Sequence, residues 1–159
     1  MLIIGIDPGS RYCGYGLLEV QKKRIVAAGC DVIDVSREKD ILKRLNMLYS
    51  AMDAILDEYN PDVAAVESMF LQRHVRSIFT LGHARGVILL SIARHNLQML
   101  EYSPREIKKA VVGNGNASKQ QVRYMVSKLL NLKSAPKRDD AYDALGIALC
   151  HYHRIKYEL

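Results

Sequence analysis

LIIGID, Leu2–Asp7, is a continuous apolar run that ends in an acid. An unbroken run of this kind reads as a strand buried on both faces, and so as the centre of a sheet. Everything else can be placed from it. PGS makes a turn after Asp7. Tyr12–Val20 carries Tyr, Leu and Val among glycines and predicts a second strand. QKKR is a polar turn, and Ile25–Val35 predicts a third strand. Three consecutive strands with short turns suggest an antiparallel meander.

Beyond the meander the period changes. Ile41, Leu45, Leu48, Met52 and Ile55 recur at three and four residues, predicting an amphipathic helix from about Lys39 to Tyr59, stopped by Asn60-Pro61. DVAAVE, Asp62–Glu67, is a second short apolar run ending in an acid. A long helix is expected over Val75–His95, a fifth strand over Leu97–Ser103, and a short helix with Pro104 in its first turn. GNGNAS, Gly113–Ser118, is a loop into a helix over Lys119–Leu130. Pro136 breaks the chain before a last helix over Arg138–His153. The order β-β-β-α-β-α-β-α-α-α predicts an α/β fold, a five-stranded mixed sheet flanked by helices. Without repeats, low-complexity segments or a linker, the expected organisation is a single domain over residues 1–159.

A chain of 159 residues is long enough to bury a sizeable core. No apolar run is long enough to cross a bilayer, so no membrane partner is expected. Leu2–Ile6 lacks a basic leader and is too short for a secretory signal, so the expected location is cytoplasmic. Cys13, Cys30 and Cys150 form no CxxC pair, which argues against a disulfide framework or thiolate zinc site and for reduced thiols. Lys and Arg total 23 against 17 Asp and Glu, a net charge of +6. That balance favours phosphate-rich partners, because each cation that meets a phosphate releases a condensed counterion. It becomes informative where acids gather against the trend.

They gather in KRDDAYDALGIALC, Lys137–Cys150, and at the two strand ends. If the strands ending in Asp7 and Glu67 are parallel neighbours, both carboxylates emerge at one sheet edge, where open α/β sheets bind ligands. Asp140 and Asp143 lie three apart, about 60° around a helix axis, on the side that carries Ala144 and Ile147. The pair thus faces the core. Each acid alone has a structural explanation: Asp7 as a turn-former before Pro8, Glu67 as a strand terminus, Asp139 or Asp140 as a helix cap. Held together they repel, and such groups are rarely concentrated without a cation. Hard oxygen ligands without His or Cys suit Mg²⁺, with Mn²⁺ able to substitute. Four acids suffice for two ions about 4 Å apart, the arrangement that cleaves phosphodiesters. His151 and His153 follow no zinc spacing and suit the end of a helix.

Five stretches carry a resemblance. GIDPGSRYCGYG (Gly5–Gly16), AAVESMF (Ala64–Phe70), GHARGV (Gly82–Val87), VVGNGNASKQQV (Val111–Val122) and DDAYDALGIALCHYH (Asp139–His153) occur in the order of the RuvC-type Holliday-junction resolvases, which the chain resembles over nearly its whole length. GIDPGS alone is also similar to the first phosphate loop of sugar kinases and Hsp70-like ATPases. The resemblance implies a ribonuclease H-like fold, a homodimer, and Mg²⁺-dependent, paired symmetric nicking of four-way DNA junctions beside a branch-migration motor, in recombination and repair. The family's four catalytic and metal-binding acids fall on Asp7, Glu67, Asp140 and Asp143. Asp139, next to the third, leaves the choice between Asp139 and Asp140 open; Asp140 keeps the spacing to Asp143. The family's base-stacking aromatic falls on Phe70, and its basic DNA-backbone positions on Lys108 and Lys119. Arg73, Arg76 and Arg85 offer further phosphate contacts, or, for Arg85, a brace for the dimer or the fold. Two other functions stay open: a ribonuclease H-like nuclease acting on RNA–DNA hybrid or RNA, and a junction-binding protein without catalysis.

Overall fold

The computed structural model describes residues 1–22, 24–68 and 75–158. Its elements are β1 (Leu2–Asp7), β2 (Tyr12–Gln21), β3 (Arg24–Asp34), α1 (Ile41–Tyr59), β4 (Val63–Glu67), α2 (Val75–Arg94), β5 (Gln98–Tyr102), α3 (Pro104–Val112), α4 (Lys119–Leu129) and α5 (Asp139–Glu158). The strands lie in the order β3-β2-β1-β4-β5. β1, β2 and β3 form the antiparallel meander, while β4 pairs parallel with β1, and β5 parallel with β4. This is the five-stranded mixed sheet of the ribonuclease H-like fold, with β1 at its centre.

Strand alternation sorts the side chains into two cores. Ile4 and Ile6 of β1 and Ala64 and Val66 of β4 pack with Leu48, Met52 and Leu56 of α1 and with Ala84, Ile88 and Ile92 of α2. Ile3, Val63 and Ala65 face the other way, onto Ile107 of α3, Val122 and Val126 of α4, and Leu145, Ala148 and Leu149 of α5. By the same alternation Asp7 and Glu67 belong to the second face.

A clamp at the opposite end sets the register. Leu2 N–H donates to the Asp62 carboxylate at 2.6 Å, and Asp62 N–H donates to Leu2 O at 2.8 Å. From there Ile3 pairs with Val63 and Ile6 with Val66, so each strand runs the same length to its acid. Slipping either strand by one residue would turn its acid to the other face.

α5 lies flush against this sheet because glycines make room for it. A Cβ on Gly5 would stand 2.1 Å from Ala144 O, one on Gly14 2.0 Å from Asp140 O, and one on Gly16 2.8 Å from Leu145 N. Gly5 pairs with Gly16, and Gly14 with Asp7. The three form a trough in β1 and β2 in which the backbone of α5 is seated.

Candidate active site

Each carboxylate reaches the site by a different local route. Asp7 ends β1 and Glu67 ends β4, side by side on the face that α5 covers. Asp139 and Asp140 open α5, where acids suit the helix dipole, and Asp143 follows one turn on. The seating of α5 in the glycine trough brings that first turn onto Asp7.

Asp7, Glu67 and Asp143 line a cavity of about 270 Å³ with Pro104, Ile107, Lys108, Lys119 and Val122. Burial, then the negative charges of Glu67, Asp143 and Asp140, push the Asp7 carboxyl up to about 8, against a smaller lowering by Lys119. Glu67 is raised by burial and by Asp143, and Asp143 by burial with smaller contributions from Asp140 and Asp139. Asp140 stands beside the cavity rather than in its lining, and its Oδ2 accepts from Arg138 Nε at 3.2 Å. Asp139 points elsewhere and pairs with Arg123 of α4. Of the two neighbours, Asp140 is the one whose charge is felt at Asp7. The cap expected of Asp139 takes another form, since it is the first residue of α5 itself.

The two lysines arrive on capped helices. Ser103, next after β5, caps α3, with Glu106 completing a reciprocal capping box; Ile107 is buried and Lys108 faces the cavity. Ser118 and Gln121 form the same box on α4, which makes Lys119 its first residue. A cation there opposes the helix dipole. Its Nζ lies 3.7 Å from Asp143 Oδ2 while the side chain stays 71% exposed, a charge held at the cavity mouth.

Arg85 resolves as a brace of the fold. It is 8% exposed, and its guanidinium donates to the Glu67 carbonyl and to Glu101 Oε1, both at 2.6 Å. It fixes the end of β4 to β5 just where Glu67 emerges. Arg76 falls in the first turn of α2, with its side chain outside what the structure describes; Phe70 and Arg73 lie outside the described residues. His151 bonds the Tyr102 hydroxyl at 2.7 Å and His153 the Ala110 carbonyl at 2.8 Å, both away from the acids. The three cysteines are free thiols. One feature escaped the sequence reading: the Arg138 guanidinium stacks 3.6 Å from the centre of the Tyr12 ring, steadying the group that holds Asp140. The two are far apart in the chain, and only the seating of α5 on β2 joins them.

A ribonuclease H-like sheet with acids at the ends of its two central parallel strands, and more on the helix laid across them, defines a nuclease of that fold. The family model for crossover junction endodeoxyribonuclease RuvC matches residues 3–151. Crossover junction endodeoxyribonuclease RuvC of Heliobacterium modesticaldum is 45% identical over 157 residues, covering 99% of this chain and 97% of its own. That of Alkaliphilus oremlandii is 42% identical over 153 residues, 96% of this chain and 93% of its own. Thermus thermophilus RuvC, solved with a Holliday junction substrate, superposes with a TM-score of 0.92 at 29% identity, over 99% of this chain and 96% of that one. The chain belongs to the RuvC family of crossover junction endodeoxyribonucleases. It is accordingly a DNA endonuclease.

Proposed function

We propose that the chain resolves four-way junctions by paired nicks, using Asp7, Glu67, Asp140 and Asp143 as its catalytic and metal-binding carboxylates, as one ribonuclease H-like domain over residues 1–159. The observation that carries this reading is Asp7, a carboxyl pushed up to about 8 by burial and three further acids, in a cavity whose cationic lining, among the described residues, is Lys108 and Lys119. Such a group gains from a hard divalent cation, which lets it ionise. The donors are all oxygen, which fits Mg²⁺, two ions per subunit, with Mn²⁺ as a substitute. Among the described residues no three His, Cys, Asp or Glu side chains converge tightly enough to cage an ion unaided. Mg²⁺ commonly keeps waters and takes further ligands from substrate phosphate. When bound, the ions supply an ionised water and a counter-charge for the departing 3′ oxygen. Asp7 takes the central position among the four, since it feels the other three. Lys119 and Lys108 orient the incoming phosphate and offset its charge. Phe70, Arg73 and Arg76 make the base and phosphate contacts that the family resemblance implies.

The Thermus relative solved with a Holliday junction supports four-way DNA as the substrate. A junction has two equivalent strands to cut, and a two-fold dimer offers two equivalent sites. The outer face of α2 suits a homodimer: Phe79 is 66% and Leu90 54% exposed, and no atom of the described residues lies within 4 Å of a Cβ built on Gly82 or Gly86. A branch-migration motor is the partner that would bring the crossover point to the site.

Asp7→Asn tests the assignment. Binding of a synthetic four-way junction should persist while nicking with Mg²⁺ falls more than about a hundredfold, exceeding the loss usual for a group that merely supports a metal ligand. Retained nicking would overturn the assignment. A plain duplex alongside reports junction selectivity.

A further inference from the structure

The loop that follows Asp7 lines a second cavity, on the other side of the sheet edge. Pro8, Gly9, Ser10 and Arg11 form one wall, Arg44 of α1 another, and Ser77, Thr80 and Leu81 of α2 a third, around about 540 Å³. Its charged lining consists of two arginines, and no acid is among the described residues that line it. The loop is held in shape. A Cβ on Gly9 would stand 1.8 Å from Tyr12 O, so the turn is closed on itself, and Arg11 O accepts from Val35 N at 2.9 Å. Arg44 is positioned as well: its Nε and Nη2 donate to Glu38 O at 2.9 and 2.7 Å. Nη2 also donates to Lys39 O at 3.5 Å, and a guanidinium held there by backbone carbonyls still has its Nη1 amine to offer an acceptor.

We propose that this cavity binds a backbone phosphate of the junction DNA flanking the cut. Three features select that ligand. The charge of its described lining is wholly cationic. Ser10 and Ser77 add neutral hydroxyl donors of the kind that commonly meet phosphate oxygens. The wall begins at the residue next to Asp7, so a strand entering the acidic cavity passes this loop. Arg11 and Arg44 are therefore positioning residues: they set which phosphodiester reaches Asp7 without touching it. The acidic cavity lies in the α3, α4 and α5 layer and this one in the α1 and α2 layer, so the two grip the DNA from opposite faces of one sheet edge.

The inference rests on the reading of the chain as a junction endonuclease, and the experiment separates the two. Junction binding is measured against salt for the parent, Arg11→Ala, Arg44→Gln and Ser77→Asp, with Asp7→Asn in parallel and melting temperatures for all. The double replacement Arg11→Ala with Arg44→Gln, added to the set, should lower the slope of log K against log salt by about 0.9, the share of one phosphate contact, and each single replacement by part of that. Ser77→Asp, at an exposed position, should weaken binding with no fall in melting temperature. A scan of single neutral methylphosphonates near the cut should show one position that weakens the parent but not Arg11→Ala. Unchanged slopes, or no such position, overturn the phosphate site while leaving the acidic site standing. Continued nicking by Asp7→Asn overturns the acidic site instead.

Discussion

At the scale of single residues, Asp7 is held protonated far above the range of an ordinary carboxyl. The unfolded chain gives this proton up near 3.8, the folded chain near 8, so the folded state binds it more tightly between the two. Stability linked to that proton is fully present below 3.8 and is lost as pH rises through 8. Metal-free protein should therefore melt progressively lower as pH rises across this window. Asp7→Asn keeps the shape and removes the titration, so with chelator present it should melt above the parent at pH near 8 and approach it towards acid. Melting curves across the range check this, and a gap independent of pH would contradict it. Adding Mg²⁺ at the alkaline end should raise the parent more than the variant, because the ion binds only the folded site.

At the scale of elements, the seat of α5 decides whether the acids meet. A methyl group on Gly16 would press on Leu145, whose amide N is 2.8 Å and whose side-chain carbons are 2.9 Å from the new atom. Gly16→Ala should cost about 1–3 kcal/mol, the range for overfilling a packed core. Gly5→Ala, directed at the Ala144 carbonyl 2.1 Å away, should cost more. Gly29→Ala is the control, since its nearest neighbour is a Leu17 methyl at ordinary contact distance, 3.7 Å. Urea midpoints in that order would support the seat, and equal losses would count against it. This contact also marks the limit of what the sequence makes legible. Apolar runs ending in acids locate β1 and β4, the helical period locates α1, the break at Pro136 announces α5, and the spacing of Asp140 and Asp143 places them on the inner side. The glycines of β2 read only as part of a strand, because their purpose lies in a helix more than a hundred residues away. Arg85 stayed ambiguous for the same reason: its partners, the Glu67 carbonyl and Glu101, are settled by packing rather than by neighbouring letters.

At the scale of the whole molecule, the acidic cavity opens at one sheet edge, and the homodimer proposed above would use the exposed face of α2. Gly86 is exposed with open space around its Cβ, so Gly86→Arg should leave the single chain folded. It should shift the protein to monomer in sedimentation and leave nicks in one strand at a time. Persistent dimers with paired nicks would place the contact elsewhere. Three more cations, Lys133, Lys137 and Arg138, line a separate cavity beside β3 together with Asp31.

The seating of α5 has one more consequence. Hydrolytic machinery mounted on loops can drift while its scaffold stays sound; here the interlayer contact that secures the scaffold also aims the ligands. Selection for heat tolerance along this seam should find few neutral substitutions, and variants that survive there should retain their turnover, so durability and competence would be inherited as one trait.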